Sequence, residues 1–296
     1  MRVFVTGATG FIGSAIVQEL LQAGHSVLGL ARSDAGAQAL IAAGAQAHPG
    51  DLEDLESLRS AAAASDAVIH TAFQHDWTRF AESCELDQRA IEVIGEVLQG
   101  SSRPFILTGG LAVIAPGRLA TEDDPPVPVS SSYPRASEAT GEALAARGVS
   151  TAIVRLPQVH DTVKQGLVSY LIALARQKGV SAYVGEGHNL WAAVHRFDAA
   201  RLYRLALEKH ETGARYHAVA EEGVPIVQIA TAIGHALNIP IRSIAPEQAQ
   251  EHFGFLERFV TMNLQGSSTK TKQKLGWTPT GPGLIADLNN LRFTQE

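Results

Sequence analysis

Disulfide chemistry is closed to this chain. Its 296 residues include one cysteine, Cys84, which can form no internal bridge and no Cys-rich metal site. Charge is also scarce: 18% of residues are Asp, Glu, Lys or Arg, and 24 basic against 30 acidic residues give a formal charge of −6. With no run of basic residues, that balance argues against a nucleic-acid partner. No apolar stretch approaches the roughly 18 residues a membrane-spanning helix needs. The opening Met1-Arg2-Val3-Phe4-Val5-Thr6-Gly7 lacks the apolar core and small-residue cleavage site of a secretory leader, so a cytoplasmic protein with no membrane partner is expected. His-Glu-x-x-His and Gly-x-Ser-x-Gly are both missing, and no His/Cys/Asp/Glu spacing suggests a metal. Apolar residues, by contrast, make up 45% of the chain, enough to bury the core of one large α/β domain or two modest ones.

The first thirty residues carry the clearest motif. Val3 to Val5 read as a buried strand, followed by the turn Thr6-Gly7-Ala8-Thr9-Gly10-Phe11-Ile12-Gly13. Apolar residues at Phe11, Ile12, Ile16, Leu20 and Leu21 then mark one face of a helix that stops near Gly24. Strand, glycine turn and helix form the context of a dinucleotide site. Gly7 permits the tight turn, Gly10 admits a pyrophosphate to the amides of the helix start, and Gly13 lets helix and strand pack closely. Thr9, Phe11 and Ile12 are expected to line the same turn. The second strand, Ser26 to Ala31, ends without the acid that would hold the ribose 2′-hydroxyl of NAD. Arg32 and Ser33 stand there instead, one able to pair with a 2′-phosphate and the other to donate to it, which favours NADP over NAD.

Strand-like segments at 3–5, 26–31, 45–48, 67–71, 104–108 and 150–155 alternate with helical patterns. This alternation predicts an α/β fold: a doubly wound parallel Rossmann sheet with helices on both faces. Ser33 and Asp198 are expected as helix N-caps and Gly148 as a helix stop. Thr121 to Ser132, rich in proline and hydroxyl residues, reads as a long loop placed to be a lid or a pocket wall. After Asp161 the pattern becomes irregular. The expected division is 1–160 as the nucleotide-binding domain and 161–296 as a smaller C-terminal α/β substrate domain, with part of 190–220 returning to the first.

The Thr-Gly-x-x-Gly-x-x-Gly turn resembles that of the extended or atypical short-chain dehydrogenase/reductases, the NAD-dependent epimerase/dehydratase type. Gly50-Asp51-Leu52, Ala67-Val68-Ile69-His70-Thr71-Ala72-Phe73, Arg155-Leu156-Pro157-Gln158-Val159-His160, Val194-His195-Arg196-Phe197-Asp198 and Lys274-Leu275-Gly276-Trp277-Thr278-Pro279 resemble later segments of that family in the same order. The resemblance covers about residues 1 to 290. It implies that Asp51 and Leu52 lie by the adenine, Thr71, Ala72 and Phe73 face the cofactor, and Pro157 and Val159 lie beside the nicotinamide. It also implies a homodimer paired through helices at about 83–98 and 135–147, acting on a small-molecule substrate.

The resemblance breaks at the catalytic positions. The family uses Tyr-x-x-x-Lys with an upstream Ser or Thr, because a nearby Lys⁺ lowers the pKa of a phenol that is otherwise near 10. Thr108 stands where the hydroxyl residue is expected. Counting from Tyr133, the Lys position holds Ser137; aligning on Ser137 and Glu142 puts Pro134 and Glu138 at the Tyr and Lys positions. Neither register supplies a lysine, and a glutamate would raise a neighbouring phenol's pKa. Candidates for an atypical proton relay are Tyr133 as a neutral phenol, His75 on the loop after the fourth strand, and His160 after Pro157. Arg135 suits an anionic substrate or a solvated helix face; His188, Asn189 and Trp191 suit a pocket wall, Trp191 equally a core. The function expected is an NADP-dependent reductase passing hydride between NADPH and a small carbonyl or imine. A cofactor-retaining epimerase, dehydratase or isomerase and a non-catalytic NADP sensor stand as alternatives.

Overall fold

The computed structural model describes residues 1–293. Along the first half run β1 (Arg2–Thr6), α1 (Phe11–Gln22), β2 (Ser26–Ala31), α2 (Asp34–Ala42), β3 (Gln46–Pro49), α3 (Leu55–Ala63), β4 (Ala67–His70), α4 (Phe80–Leu98), β5 (Phe105–Gly110), α5 (Ser137–Ala146) and β6 (Thr151–Leu156). Then come β7 (Gln158–His160), α6 (Leu167–Lys178), β8 (Ser181–Val184), β9 (Leu190–His195), α7 (Arg196–Glu208), β10 (Arg215–His217), β11 (Glu221–Pro225), α8 (Ile226–Leu237) and β12 (Ile241–Ile244). Short helices α9 (Ala249–Phe253), α10 (Glu257–Val260), α11 (Thr269–Leu275) and α12 (Leu284–Asn289) complete the order.

The main sheet has seven parallel strands in the order β10-β6-β5-β4-β1-β2-β3. This is the doubly wound Rossmann arrangement, and its strand order reverses between β1 and β4, where such sheets open a crevice for ligands. Both faces of the sheet are covered, so its central strands β1, β4 and β5 are mostly apolar. Val3, Val5, Ile69 and Ile106 point into the layer under α1 and α7, while Phe4, Val68, Phe105 and Leu107 point into the layer under α3, α4 and α5. The chain returns to this sheet late, through α7 against α1 and through β10, which pairs with β6. A second sheet (β11-β9-β7) and a two-stranded sheet (β12-β8) pack with α6, α8 and the short C-terminal helices around a separate core. No helix among the described residues is long and apolar enough to cross a membrane.

Ser33 caps α2 by accepting from the Gly36 amide at 3.2 Å. Asp198 does not cap α7; His195 does, accepting from the Phe197 amide. Asp198 is instead buried in the first turn, where it accepts from the amides of Thr280 and Gly281 at 2.9 and 2.7 Å and pins the C-terminal segment to α7. Residues 121–132 hold neither helix nor strand.

The start of α1 depends on close approach. A Cβ on Gly13 would run into the carbonyl group of Gly7, with its carbon 2.7 Å away, and backbone cannot yield as a side chain does. Gly13→Ala is therefore expected to lower unfolding free energy by about 1–3 kcal/mol, read by urea denaturation. A Gly24→Ala control instead meets open space in a left-handed turn, where its strain is purely backbone.

Candidate active site

Thr6 and His70 are direct neighbours at the ends of β1 and β4. The glycine turn and the Thr71–Phe73 loop therefore lie side by side, so close that a Cβ on Gly7 (φ +67°) would stand 2.8 Å from the Ala72 nitrogen. Helix α1 has Gly10 at its N-cap with no side chain capping it and no acid in its first turn, which leaves its leading amides aimed at the crevice. Thr9 and Gly10 are exposed there, and Phe11 and Ile12 are half-buried beside them. Arg32 is exposed at the tip of β2 and makes no ion pair or side-chain hydrogen bond among the described residues. Asp51 folds its own loop, with Oδ1 accepting from the Glu53 and Asp54 amides at 2.8 and 3.0 Å, and Leu52 is buried behind it. These strand ends thus form a cradle with unpaired amides at one end and an unpaired guanidinium at the other. Its donor set and its Cβ-free floor fit a dinucleotide.

A buried hydrogen-bond chain leads from this cradle to α5. The Thr6 hydroxyl accepts from the Thr71 and Ala72 amides, both at 3.2 Å, and donates to His70 Nδ1 at 2.9 Å. That leaves His70 Nε2 to donate to Asp87 Oδ1 at 2.9 Å, while Ser137 donates to Asp87 Oδ2 at 2.6 Å and accepts from Arg135 Nε at 3.2 Å. Burial pushes the Asp87 carboxyl up, but the hydrogen bond from His70, with help from Arg135 and Ser137, outweighs it and holds the group below the usual carboxylate range.

The cleft beyond is lined by Gly109 and Gly110 at the end of β5, by Pro126 and Val127 of the long loop, and by Tyr133, Arg135, Ser137, Glu138 and Ala139. Tyr133 and Arg135 are thus brought together. Burial raises the Tyr133 phenol above its ordinary value, with Arg135 opposing and Glu138 adding to the shift, so it stays protonated at neutral pH. The Arg135 guanidinium lies 4.5 Å from the centre of the Phe73 ring. His75 packs edge-on to Phe73, and its pKa is lowered by burial, then by Arg135 and Lys164.

Other expected residues lie elsewhere. Thr108 donates to the His70 carbonyl at 2.7 Å and is joined to the Tyr203 hydroxyl at 2.7 Å, so it faces the α7 side of the sheet and not the cleft. Alternation explains this: the cleft side of β5 falls to Gly109, which has no hydroxyl to offer. His160 is fully buried in the second sheet, 2.7 Å from Asp287 through Nδ1, which is the setting of a structural residue. Pro157 is half-buried between β6 and β7, and Val159 is buried in the α1/α7 core. His188 is exposed, and Trp191 is wholly buried with its indole donating to the Phe259 carbonyl, so it belongs to the core.

Glu138 forms a buried ion pair with Arg155 of β6, whose side chain is 0% exposed. Arg155 Nε reaches both carboxylate oxygens at 3.2 and 3.0 Å, and Nη2 lies 2.8 Å from Oε2. Its Nη1 donates to His217 Nε2 at 3.3 Å, and His217 Nδ1 donates to the Ser267 carbonyl at 2.8 Å. Both ring nitrogens of a neutral imidazole are thereby used, and burial brings the His217 pKa down to about 4.

The NAD dependent epimerase/dehydratase family matches residues 3–220. The chain belongs to this family. It is 51% identical over 294 residues, covering 97% of this chain and 98% of the other, to an uncharacterized protein of Schizosaccharomyces pombe. It is 27% identical over 239 residues, 75% of this chain and 72% of the other, to a decarboxylating sterol-4-alpha-carboxylate 3-dehydrogenase of Dictyostelium discoideum. The solved UDP-glucose 4-epimerase of Thermus thermophilus in complex with NAD matches at a TM-score of 0.75 and 22% identity, covering 98% of this chain and 97% of that one, a likeness of fold. Neither register of the family's Tyr-x-x-x-Lys finds a lysine in this chain: counted from Tyr133 the position holds Ser137, bonded to Asp87, and the adjoining Glu138 is one half of a buried ion pair.

Two outcomes follow from this polar cluster. Glu138→Lys sets two cations together in the interior and is expected to cost about 3–5 kcal/mol in urea denaturation, without any gain in turnover. His217 has a folded pKa below its unfolded value of about 6.5, so the unfolded chain binds the extra proton. Its contribution is complete above pH 6.5 and is lost as pH falls toward about 4. The thermal midpoint should decline across that window, and His217→Asn should flatten the decline.

Proposed function

We propose that this chain is an NADP-dependent oxidoreductase that reduces a small carbonyl or imine substrate, with Tyr133 as proton donor and Arg135 as the cation facing the developing negative charge. The observation that carries this reading is the meeting of Tyr133 and Arg135 over a side-chain-free strand end, next to the glycine cradle. Bound NADPH would supply the hydride. The chain's own residues bind, orient and protonate. The amides of α1 take the diphosphate, and Arg32 grips the 2′-phosphate with Ser33 beside it. The Thr6–His70–Asp87–Ser137 chain fixes Arg135 Nε and the Thr108 carbonyl accepts from Nη2 at 3.5 Å, so that Nη1 is left to meet the substrate oxygen without reorganisation. Tyr133 donates its proton as a phenol, which suits reduction. Epimerisation or dehydration through hydride removal needs a base at that point, and a phenol held protonated by burial and by Glu138 is poorly suited to it.

The test is calorimetric binding of NADPH and NADH, followed by NADPH oxidation over a panel of aldehydes, ketones and imines. Arg32→Ala is expected to weaken NADPH by about tenfold or more and to leave NADH unchanged, as the loss of one charge-assisted contact requires. Tyr133→Phe should keep NADPH affinity and lose about a hundredfold in kcat. Tight binding of NADH alone, or a panel without turnover, overturns the assignment.

A further inference from the structure

The Arg135–Phe73 contact borders an aromatic cluster drawn from three separate parts of the chain. Phe73 packs on Phe80 at 5.8 Å, and Phe80 stacks on Trp77 at 5.2 Å with ring planes 19° apart. Trp77 in turn meets Phe255 at 5.6 Å and Tyr170 of α6 at 6.4 Å, and those two meet each other at 5.7 Å. The β4–α4 loop of the nucleotide-binding half thus meets the second core through ring faces and edges at this point. Two features separate the cluster from ordinary packing. Phe255 and Tyr170 keep 48% and 37% of their surface exposed, so ring area remains open at the rim. The Trp77 indole N–H is buried and has no hydrogen-bond partner among the described residues, whereas the fully buried Trp191 and Trp277 both donate to backbone carbonyls. A desolvated donor left unpaired is costly, and an arriving acceptor relieves that cost.

We infer that the Trp77–Phe255–Tyr170 cluster is the recognition subsite for the non-reacting part of the substrate, and that this part is an aromatic ring bearing or adjoining a hydrogen-bond acceptor. This rests on the reductase reading for the reacting end and deepens it: the carbonyl oxygen lies toward Arg135, and the ring lies on the aromatic wall. Open ring faces select a planar π-system over a saturated ring of the same size, because stacking and edge contacts add to the area buried. The exocyclic or ring acceptor pairs with Trp77 Nε1.

The experiment is calorimetric titration of the NADP⁺-loaded protein with benzaldehyde and with cyclohexanecarboxaldehyde, matched in carbon number and differing in the ring. Loading is checked first by its own titration, so failure of the cofactor reading shows as absent NADP⁺ heat, before any aldehyde is added. Benzaldehyde is expected to bind about tenfold more tightly. Phe255→Ala, at an exposed rim position, should bring the two aldehydes to within about twofold while leaving NADP⁺ affinity and the thermal midpoint unchanged. Trp77→Phe keeps the ring and removes the N–H, and should weaken 4-methoxybenzaldehyde, whose ether oxygen is a second acceptor, several-fold while leaving benzaldehyde within about twofold. Equal affinity of the two aldehydes for the loaded protein, no binding of either, or a preference that survives Phe255→Ala would overturn the subsite.

Discussion

The Glu138–Arg155 pair governs the geometry of this site. Two opposite charges at 2.8 Å, taken almost entirely out of water, cannot be separated without leaving one of them bare in the interior. The pair therefore fixes the first turn of α5 on β6. That turn, with the segment leading into it, carries Ser137, Arg135 and Tyr133, so every group that faces the cleft from this side inherits its position from one ionic contact. Arg155 extends the hold to β10 through His217, which ties the outermost strand of the sheet into the same polar cluster. A lysine doing the family's usual work has to reach outward to the cofactor. Glu138, at the start of the same helix, reaches inward to Arg155 and serves the packing of α5 on the sheet.

Much of the fold was legible because its signals are local. The glycine turn, the first helix and six of the seven main-sheet strands follow from apolar runs, periodicity and stop residues, and each falls within two residues of the observed element, whereas α4 and α5 start five or six residues away from where their apolar patterns place them. The seventh strand, Arg215–His217, is three residues long, with a charged residue and a histidine in it, and carries no strand pattern of its own. Asp198 was misplaced for a related reason. An acid near a helix start reads as a cap, but its carboxylate is taken by amides some eighty residues downstream, which no window sees.

The backbone cradle of the candidate site is legible in the glycine spacing, and the side-chain cluster beside it only in part. A phosphate cradle is made by backbone, and glycine spacing records backbone. The rest is made by side chains meeting across the sheet. Asp87 lies seventeen residues from His70 and fifty from Ser137, and the three meet only once β4, α4 and α5 have packed. Thr108 shows the opposite failure: the residue is where the resemblance puts it, yet the pleat turns its hydroxyl toward Tyr203. A shift of one along a strand exchanges the two faces of a sheet, so likeness of residue type does not establish likeness of role.

The two glycines that close β5 differ in what surrounds them. At Gly109 a Cβ would collide with the Glu138 carboxylate, while at Gly110 it would meet nothing within 4 Å. The first is thus sealed by the ion pair behind it, and the second leaves open space at the end of the strand. Of the two, only Gly110 has room for a side chain, so any new contact at this strand end has to be built from the last residue of β5.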